Sequence, residues 1–389
     1  MQQVAPISEK HRLPWIDAAR GIAIFGIFIV NIGAFSAPYF LYGGENEAWT
    51  RPIDNGTLAI IDMFFQASFY TLFSLLFGFG VQIMKERLAE KERNVYRLLF
   101  RRFLLLAVFG IIHAFMLWHG DILLTYGIIG IILLLLLPLH TRTLIRIAAV
   151  ILGGNVLIIS MLYYSAREYL HFSNTYMIND AIVNYRSNDL RNILAQNYTD
   201  WQFANGSISF LLIILIVLPL FLFGVSLARK GWLHNPIKYG RILRKWWFIS
   251  FVGFIAFKII PYLFGNPLWF SYIQDNVGGS FSALFYIISV TLFANTPIGR
   301  KMLKPFIYVG RMSLSNYIFQ SLFGFFFFYG IGFGFYHAIS PLPLAAVAIV
   351  VFAAQAFFSK WWLSRFYYGP LEWVWRTFTY MKKQPFIRS

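Results

Sequence analysis

Few side chains in this 389-residue sequence could move a proton or transfer a group, and they fall at a small number of places. A histidine and a carboxylate stand in Trp118-His119-Gly120-Asp121, and His113 lies about two helical turns earlier. Imidazole exchanges protons near neutral pH, so His119 is the candidate general base. To acylate a hydroxyl or an amine, such a base must take the acceptor's proton while other donors stabilise the developing oxyanion. Asp121 or Asp62 is the candidate group to hold the imidazole tautomer. Asp121 also reads as a cap on the helix that follows. Asn31 could polarise a substrate carbonyl, or bond a neighbouring helix. Asp17 and Arg20 stand three apart at the start of an apolar run, where they form an ion pair or hold a ligand's phosphates. Arg311, in a later basic connection, joins Arg20 and Asp17 as a candidate for binding an anionic cofactor.

Other polar groups lie deeper in apolar surroundings. His113, Lys258, Asn316 and Gln320 are expected to line a cavity or to bond adjacent helices, and Asp62 needs a partner that Lys258 could supply. Ser313, Asn316, Gln320 and Gly324 repeat at helical spacing and give one helix a polar face. No spacing of His, Cys, Asp or Glu fits a zinc site, so no metal is expected. A P-loop, a nucleophile elbow and a dinucleotide fingerprint are also missing.

These groups must be positioned by membrane helices. With 58% hydrophobic residues, 43 Phe and 13% charged residues, a soluble globule could not hide the apolar surface. The expected fold is all-α, a polytopic bundle of about ten spans. They lie near 16–36, 57–84, 103–118, 122–139, 144–164, 207–228, 246–264, 280–296, 313–334 and 342–363. The net charge of +17 follows topology rather than nucleic acid, because Lys and Arg cluster in alternate connections, 27 against 4. That asymmetry places both termini in the cytoplasm and His119 and Asp121 outside. The runs flanking His119 form a hairpin, Phe103 to Pro138, taken here as the centre of the chain. His119, Asp121, Asp62 and Asn31 then meet at the outer ends of three consecutive helices, where a shared, outward-opening cavity is expected. The chain divides into an N-terminal region of five spans (1–164), an external segment (165–206) and a C-terminal region of five spans with a tail (207–389). In the external segment Ile178, Ile182, Tyr185, Ile193, Leu194, Tyr198 and Trp201 recur at roughly helical spacing. One or two amphipathic helices are expected, lying on lipid or forming a lid.

Five separated motifs carry a resemblance. Ile16-Asp-Ala-Ala-Arg20 leading to Asn31, Thr71 to Gly80, His119-Gly-Asp-Ile-Leu123 with Tyr126-Gly127, Gly310 to Tyr317 with Gln320-Ser321, and Gly369 to Arg376 resemble the YeiB-like family of bacterial multi-pass membrane proteins. That family is labelled in part as involved in transport, and it implies a bacterial cell membrane. The N-terminal part is similar, more distantly, to the transmembrane acyltransferases that include the heparan-α-glucosaminide N-acetyltransferase. Those enzymes move an acetyl group from cytosolic acetyl-CoA to an amino sugar across the membrane. Asp17, Arg20, Asn31 and Asp62 match positions in their first two helices. Their catalytic histidine lies between those helices, whereas Phe35 to Thr57 here contains none.

Two function classes follow. In one, acyl-CoA, such as acetyl-CoA, enters from the basic face and an acceptor meets the acyl group at the outer face. In the other, Asp62, His113, Lys258, Asn316 and Gln320 line a path for a small solute and carry protons. The sequence contains no evident internal repeat or matched Gly/Pro breaks, which favours the enzyme. The expected partners are the bilayer, a small-molecule donor and an acceptor, with no nucleic acid and with a homodimer left open.

Overall fold

The computed structural model describes residues 12–171 and 173–388, and among them it contains twenty α-helices and no strand. In order these are α1 (Pro14–Ser36), α2 (Tyr39–Tyr42), α3 (Glu45–Ala48), α4 (Pro52–Phe64), α5 (Ser68–Ala89), α6 (Val95–Met116) and α7 (Leu123–Leu136). Then come α8 (Thr141–Ser165), α9 (Thr175–Tyr185), α10 (Leu190–Asn205), α11 (Ser207–Lys230), α12 (Gly240–Phe254), α13 (Ile260–Leu263), α14 (Ser271–Ile273) and α15 (Gly279–Phe293). The chain closes with α16 (Pro297–Met302), α17 (Lys304–Arg311), α18 (Ser313–Phe328), α19 (Pro341–Arg365) and α20 (Pro370–Tyr380).

Among the described residues eight helical stretches are long and apolar enough to cross a membrane, so the protein is a multi-pass membrane protein. All ten expected spans have a helix, but two are short: α7 has 14 residues and α18 has 16. The second span is not continuous. Phe65 to Ala67 interrupts it, and Ala67 adopts a left-handed backbone with φ 59° before α5 begins. The seventh span contains a π-helical turn at Ile255–Ile259, where Ile260 N–H reaches back five residues to the Ile255 carbonyl. Pro261 has no N–H to give to the α-helical ladder, and the widened turn absorbs that loss. A second π turn, Gln274–Gly278, precedes α15.

Close helix contacts are made where glycines remove the side chain. A Cβ on Gly310 would strike the Asp17 carbonyl, and one on Gly21 would strike that of Phe306, so α1 and α17 touch backbone to backbone. Gly78 and Gly224 join α5 to α11 in the same reciprocal way. One apolar core runs from Ile16 in α1 through Phe79, Phe103 and Phe221 to Phe352 in α19.

The ends of the bundle differ. At one end Arg102 lies over the Trp375 ring at 3.5 Å and Trp375 donates to the Arg102 carbonyl, bringing α20 against α6. Lys85 and Arg229 donate to carbonyls at the end of α7 there. These contacts gather the basic connections at a single face; Lys10 lies outside the described residues. At the other end the connection after α8 forms two helices, α9 and α10. They pack on protein as well as facing outward: Ile178, Ala181, Tyr185, Ile193 and Asp200 are buried, while Tyr176, Val183 and Tyr198 are exposed.

Candidate functional site

The hairpin of α6 and α7 is set by two more glycines. Gly110 faces the backbone of Leu124 and Gly127 faces that of Ala107, so the helices run too close for a side chain between them. This brings Asp121, in the turn, back over the last turns of α6. Asp121 Oδ1 lies 2.7 Å from His113 Nδ1, and Oδ2 accepts the Leu124 N–H at 2.6 Å. On the far side of the ring, His113 Nε2 lies 2.7 Å from Ser321 Oγ in α18. His113 and Ser321 are each 1% exposed. A neutral imidazole here has one satisfactory tautomer: Nδ1–H donates to Asp121, and bare Nε2 accepts from the Ser321 hydroxyl. Tyr317 packs on the imidazole at 5.1 Å and donates to the Gly120 carbonyl at 3.3 Å, which pins the turn. The arrangement is that of a base oriented by a carboxylate and holding a hydroxyl.

The expected partnership of His119 with Asp121 is not made. His119 points to Asp200 of α10, Nδ1 to Oδ2 at 3.6 Å, and packs on Trp118. Asp200 already accepts from Tyr42 at 2.6 Å, Tyr185 at 2.7 Å and Gln196 at 2.6 Å. Burial pulls the His119 imidazole down from the usual histidine range, and Asp200 opposes that shift. Among the described residues His119 Nδ1, Trp118 Nε1 and Asn197 Oδ1 are buried without a hydrogen-bond partner. Asn197 donates to the Ala114 carbonyl, tying α10 to the end of α6. The helices after α8 therefore cap the hairpin.

Asp62 belongs to a third group. Lys258, 0% exposed, places Nζ 3.5 Å from Asp62 Oδ1 and 3.2 Å from Asp275 Oδ1. Tyr262 and Gln274 donate to Asp62 Oδ2 at 2.5 and 3.0 Å. Lys258 and Asp275 each sit in one of the two π turns, and Asp62 stands one turn before the break at Ala67. Glu45, in α3, is raised by burial and further by Asp62.

The expected outward cavity shared by four groups is thus replaced by separate networks. Asp121 turns to His113, His119 to Asp200 and Asp62 to Lys258. Asn31 is half-buried in α1, and its side chain makes no hydrogen bond among the described residues. The cause is that each carboxylate finds a nearer partner buried in protein than the open space the sequence suggests.

Asn316 and Gln320 bond neighbouring helices. Asn316 donates to Ser359 at 3.0 Å, Gln320 donates to Gln355 at 3.0 Å, and Gln355 donates back to the Asn316 carbonyl at 3.0 Å. These links tie α18 to α19.

At the basic face Asp17 pairs with Arg20 at 3.2 Å and with Arg12 at 3.8 Å. Arg12 stands near Arg311 and Arg376, and Arg102 stands near Arg20 and Arg376, so five arginines gather in one region, two of them paired with Asp17. Burial lowers the Arg12 guanidinium to about 10; Arg311 adds to the shift and Asp17 opposes it. Arg12 Nε and Tyr368 Oη are buried without a hydrogen-bond partner among the described residues. Close by, Glu372 accepts from the Leu314 and Ser315 N–H groups and from the Ser315 hydroxyl, at 2.7, 3.1 and 2.5 Å. Two of the sequence motifs, Gly310 to Tyr317 and Gly369 to Arg376, are therefore one contact.

Residues that sequence reasoning passed over include Ser321, Asp200 and Asp275. Ser321 stood inside a quoted motif, but nothing local pointed to His113, 208 positions away.

A family model described as "Protein of unknown function (DUF418)" matches residues 227–382, which include Lys258, Asp275, Arg311, Ser321 and Glu372. The chain is 31% identical to "Uncharacterized protein YxaH" of Bacillus subtilis (strain 168), covering 100% of this chain and 99% of that protein. It is 30% identical to "Uncharacterized protein YeiB" of Escherichia coli (strain K12), covering 96% of this chain and 97% of that protein. A protein of Bacillus acidopullulyticus, "Uncharacterized 39.9 kDa protein in amylase 3'region", is 26% identical with 98% of each chain covered.

Proposed function

This chain belongs to the YeiB-like family, and from that premise we propose that it is an integral-membrane acyltransferase of the bacterial cell membrane. It passes an acyl group from a cytoplasmic acyl-CoA, such as acetyl-CoA, to a hydroxyl or amine acceptor presented at the outer face. The observation that carries the reading is His113, held between the Asp121 carboxylate and the Ser321 hydroxyl at 2.7 Å on each side.

In this reading His113, rather than His119, is the base. Asp121 keeps Nδ1 protonated and stabilises the imidazolium that forms as Nε2 takes the acceptor's proton. The Ser321 hydroxyl occupies the Nε2 lone pair, and an acceptor hydroxyl displacing it meets the base along the same line. The donor's phosphates belong with Arg12, Arg20, Arg102, Arg311 and Arg376 at the basic face, where guanidinium forks suit phosphate oxygens. Arg102 and His113 share α6, eleven residues apart, so about 16 Å of helix separates the phosphate end from the base. An extended pantetheine arm covers such a span. The acceptor enters under the cap formed by α9 and α10, where Trp118, His119 and Asn197 keep unpaired polar atoms. The cytoplasmic placement of the basic face rests on the excess of Lys and Arg in those connections.

A thermal-shift series on purified protein tests the donor. Acetyl-CoA and free CoA should stabilise the protein more than ATP at equal concentration, because a ligand that binds only the native state raises its stability. Arg20→Ala should weaken that shift and His113→Ala should leave it. Equal shifts for CoA and ATP would remove the acyl donor.

Proton-coupled transport is the second reading, favoured by the break at Ala67 and the two π turns around Lys258. Discontinuous helices beside buried ionisable groups are the pattern of secondary transporters.

A further inference from the structure

The face that carries the basic connections also contains a cavity of about 730 Å³, away from the arginines around Asp17. Its wall comes from Lys85 of α5, Leu137 to His140 of the link after α7, Thr141, Arg142, Thr143 and Arg146 of α8, and Arg229 of α11. Among the described residues four Lys or Arg and one histidine line it, and no carboxylate does. Gln82 donates to Glu86 behind the wall at 2.8 Å and accepts from Arg229 at 3.1 Å.

The basic residues divide into two kinds. Lys85 and Arg229 are committed to the scaffold. Lys85 donates to the Leu137 carbonyl at 2.9 Å, and Arg229 donates to the carbonyls of Leu139 and Leu137 at 2.6 and 2.7 Å. They satisfy the end of α7 and leave positive charge in the wall. Arg142 and Arg146 are one turn apart on α8, exposed, and among the described residues neither makes an ion pair or a hydrogen bond through its side chain. The N-terminus of α8 opens into the same space, and no side chain caps it. Uncapped first-turn N–H groups add to the field that the guanidinium groups make.

The wall is not polar throughout. Leu137, Pro138 and Leu139 form its apolar side. Next to them Leu135 is 78% exposed, as a side chain facing lipid would be. A free phosphate ion gains nothing from such a wall. A phosphate joined to acyl chains matches both halves.

We propose that this cavity binds the phosphate headgroup of an anionic phospholipid, with Arg142, Arg146 and the start of α8 on the phosphate and the acyl chains leaving over Leu137 and Pro138. Basic pockets between membrane helices at a charged leaflet are suited to such headgroups. The site is independent of acyl transfer and of the arginines around Asp17.

The test uses full-length purified protein in nanodiscs and in mild detergent, with phosphatidylglycerol, phosphatidylcholine and glycerol 3-phosphate as probes. Native mass spectrometry should show wild-type protein keeping phosphatidylglycerol over phosphatidylcholine by on the order of tenfold. The double variant Arg142→Gln, Arg146→Gln should lose that preference while remaining folded and monodisperse. Arg365→Gln, which removes a basic group elsewhere on the protein, should keep it. Equal retention of the two lipids by wild type would overturn the proposal. So would an equal loss in Arg365→Gln, since the preference would then be generic charge. Displacement of the lipid by glycerol 3-phosphate at equal concentration would assign the cavity to a soluble phosphate instead.

Discussion

His113 and Lys258 are both sealed inside the bundle, yet they are held in opposite ways. His113 sits between regular helices, with one acceptor on one nitrogen and one hydroxyl on the other. Lys258 sits on a π turn among two carboxylates, a tyrosine and a glutamine that share their hydrogen bonds. The carboxylates themselves keep about a third of their surface, 29% for Asp62 and 33% for Asp275. The first network is a directed line along which a proton can pass. The second is a knot of charges on irregular backbone, suited to holding helices or to switching between partners. Both are expensive in a membrane, and the difference lies in what removing a member leaves behind.

The largest effect should come from the directed line. His113→Ala should lower acyl transfer by about two to four orders of magnitude, the usual contribution of a positioned base. Asp121→Asn should lower transfer to a similar degree through the wrong tautomer and retain the Leu124 cap, so its folding should change less than its rate. Loss of folding in step with rate would make the line structural and erase the contrast.

Lys258→Met should do the opposite. It leaves Asp62 and Asp275 facing each other, at a cost of about 3 kcal/mol in unfolding measurements; the lower end applies because both carboxylates keep some water. Adding Asp62→Asn and Asp275→Asn should recover most of that loss. If Lys258→Met instead spares stability and abolishes a proton-driven uptake, the knot is the functional centre and transport is the better reading.

A smaller effect belongs to Glu372, whose carboxylate closes the start of α18 and so holds the helix that carries Ser321. Glu372→Gln should cost about 1 kcal/mol of thermal stability, as for lost caps. It should lower transfer only in proportion.

The smallest effect is a pH slope. The folded His119 binds its proton less readily than in the unfolded chain, so stability is complete above the unfolded value of 6.5 and falls as the pH drops below it. The unfolded chain then holds the proton that the buried ring refuses. His119→Gln should flatten this acid loss without changing stability at about pH 8. An unchanged slope would place the acid sensitivity elsewhere.

Much of this was legible in the sequence because it is local. The hairpin, the two helices α9 and α10 and the polar face of α18 follow from periodicity and apolar runs. So did the partnership of Asp62 with Lys258, since each needed a counter-charge in an apolar setting. Other features depend on contacts that no local pattern encodes. His113 meets Ser321 across 208 residues, and Asp200 meets Tyr42 across 158. The break at Ala67 uses neither Gly nor Pro, so a search for those residues passes it by. The second π turn contains no proline; it ends at Gly278, which lies against the Lys258 side chain, a contact that only the fold makes visible. The convergence of Arg12, Arg20, Arg102, Arg311 and Arg376 looks in sequence like ordinary topology signals.

The central claim, that His113 is the base of an acyl transfer, is tested most directly by thiol release from acetyl-CoA with purified protein in nanodiscs, where water stands in for the acceptor. Wild-type protein should release CoA slowly and catalytically, while His113→Ala should bind CoA with unchanged affinity and release none above background. Release that persists undiminished in His113→Ala would contradict the account.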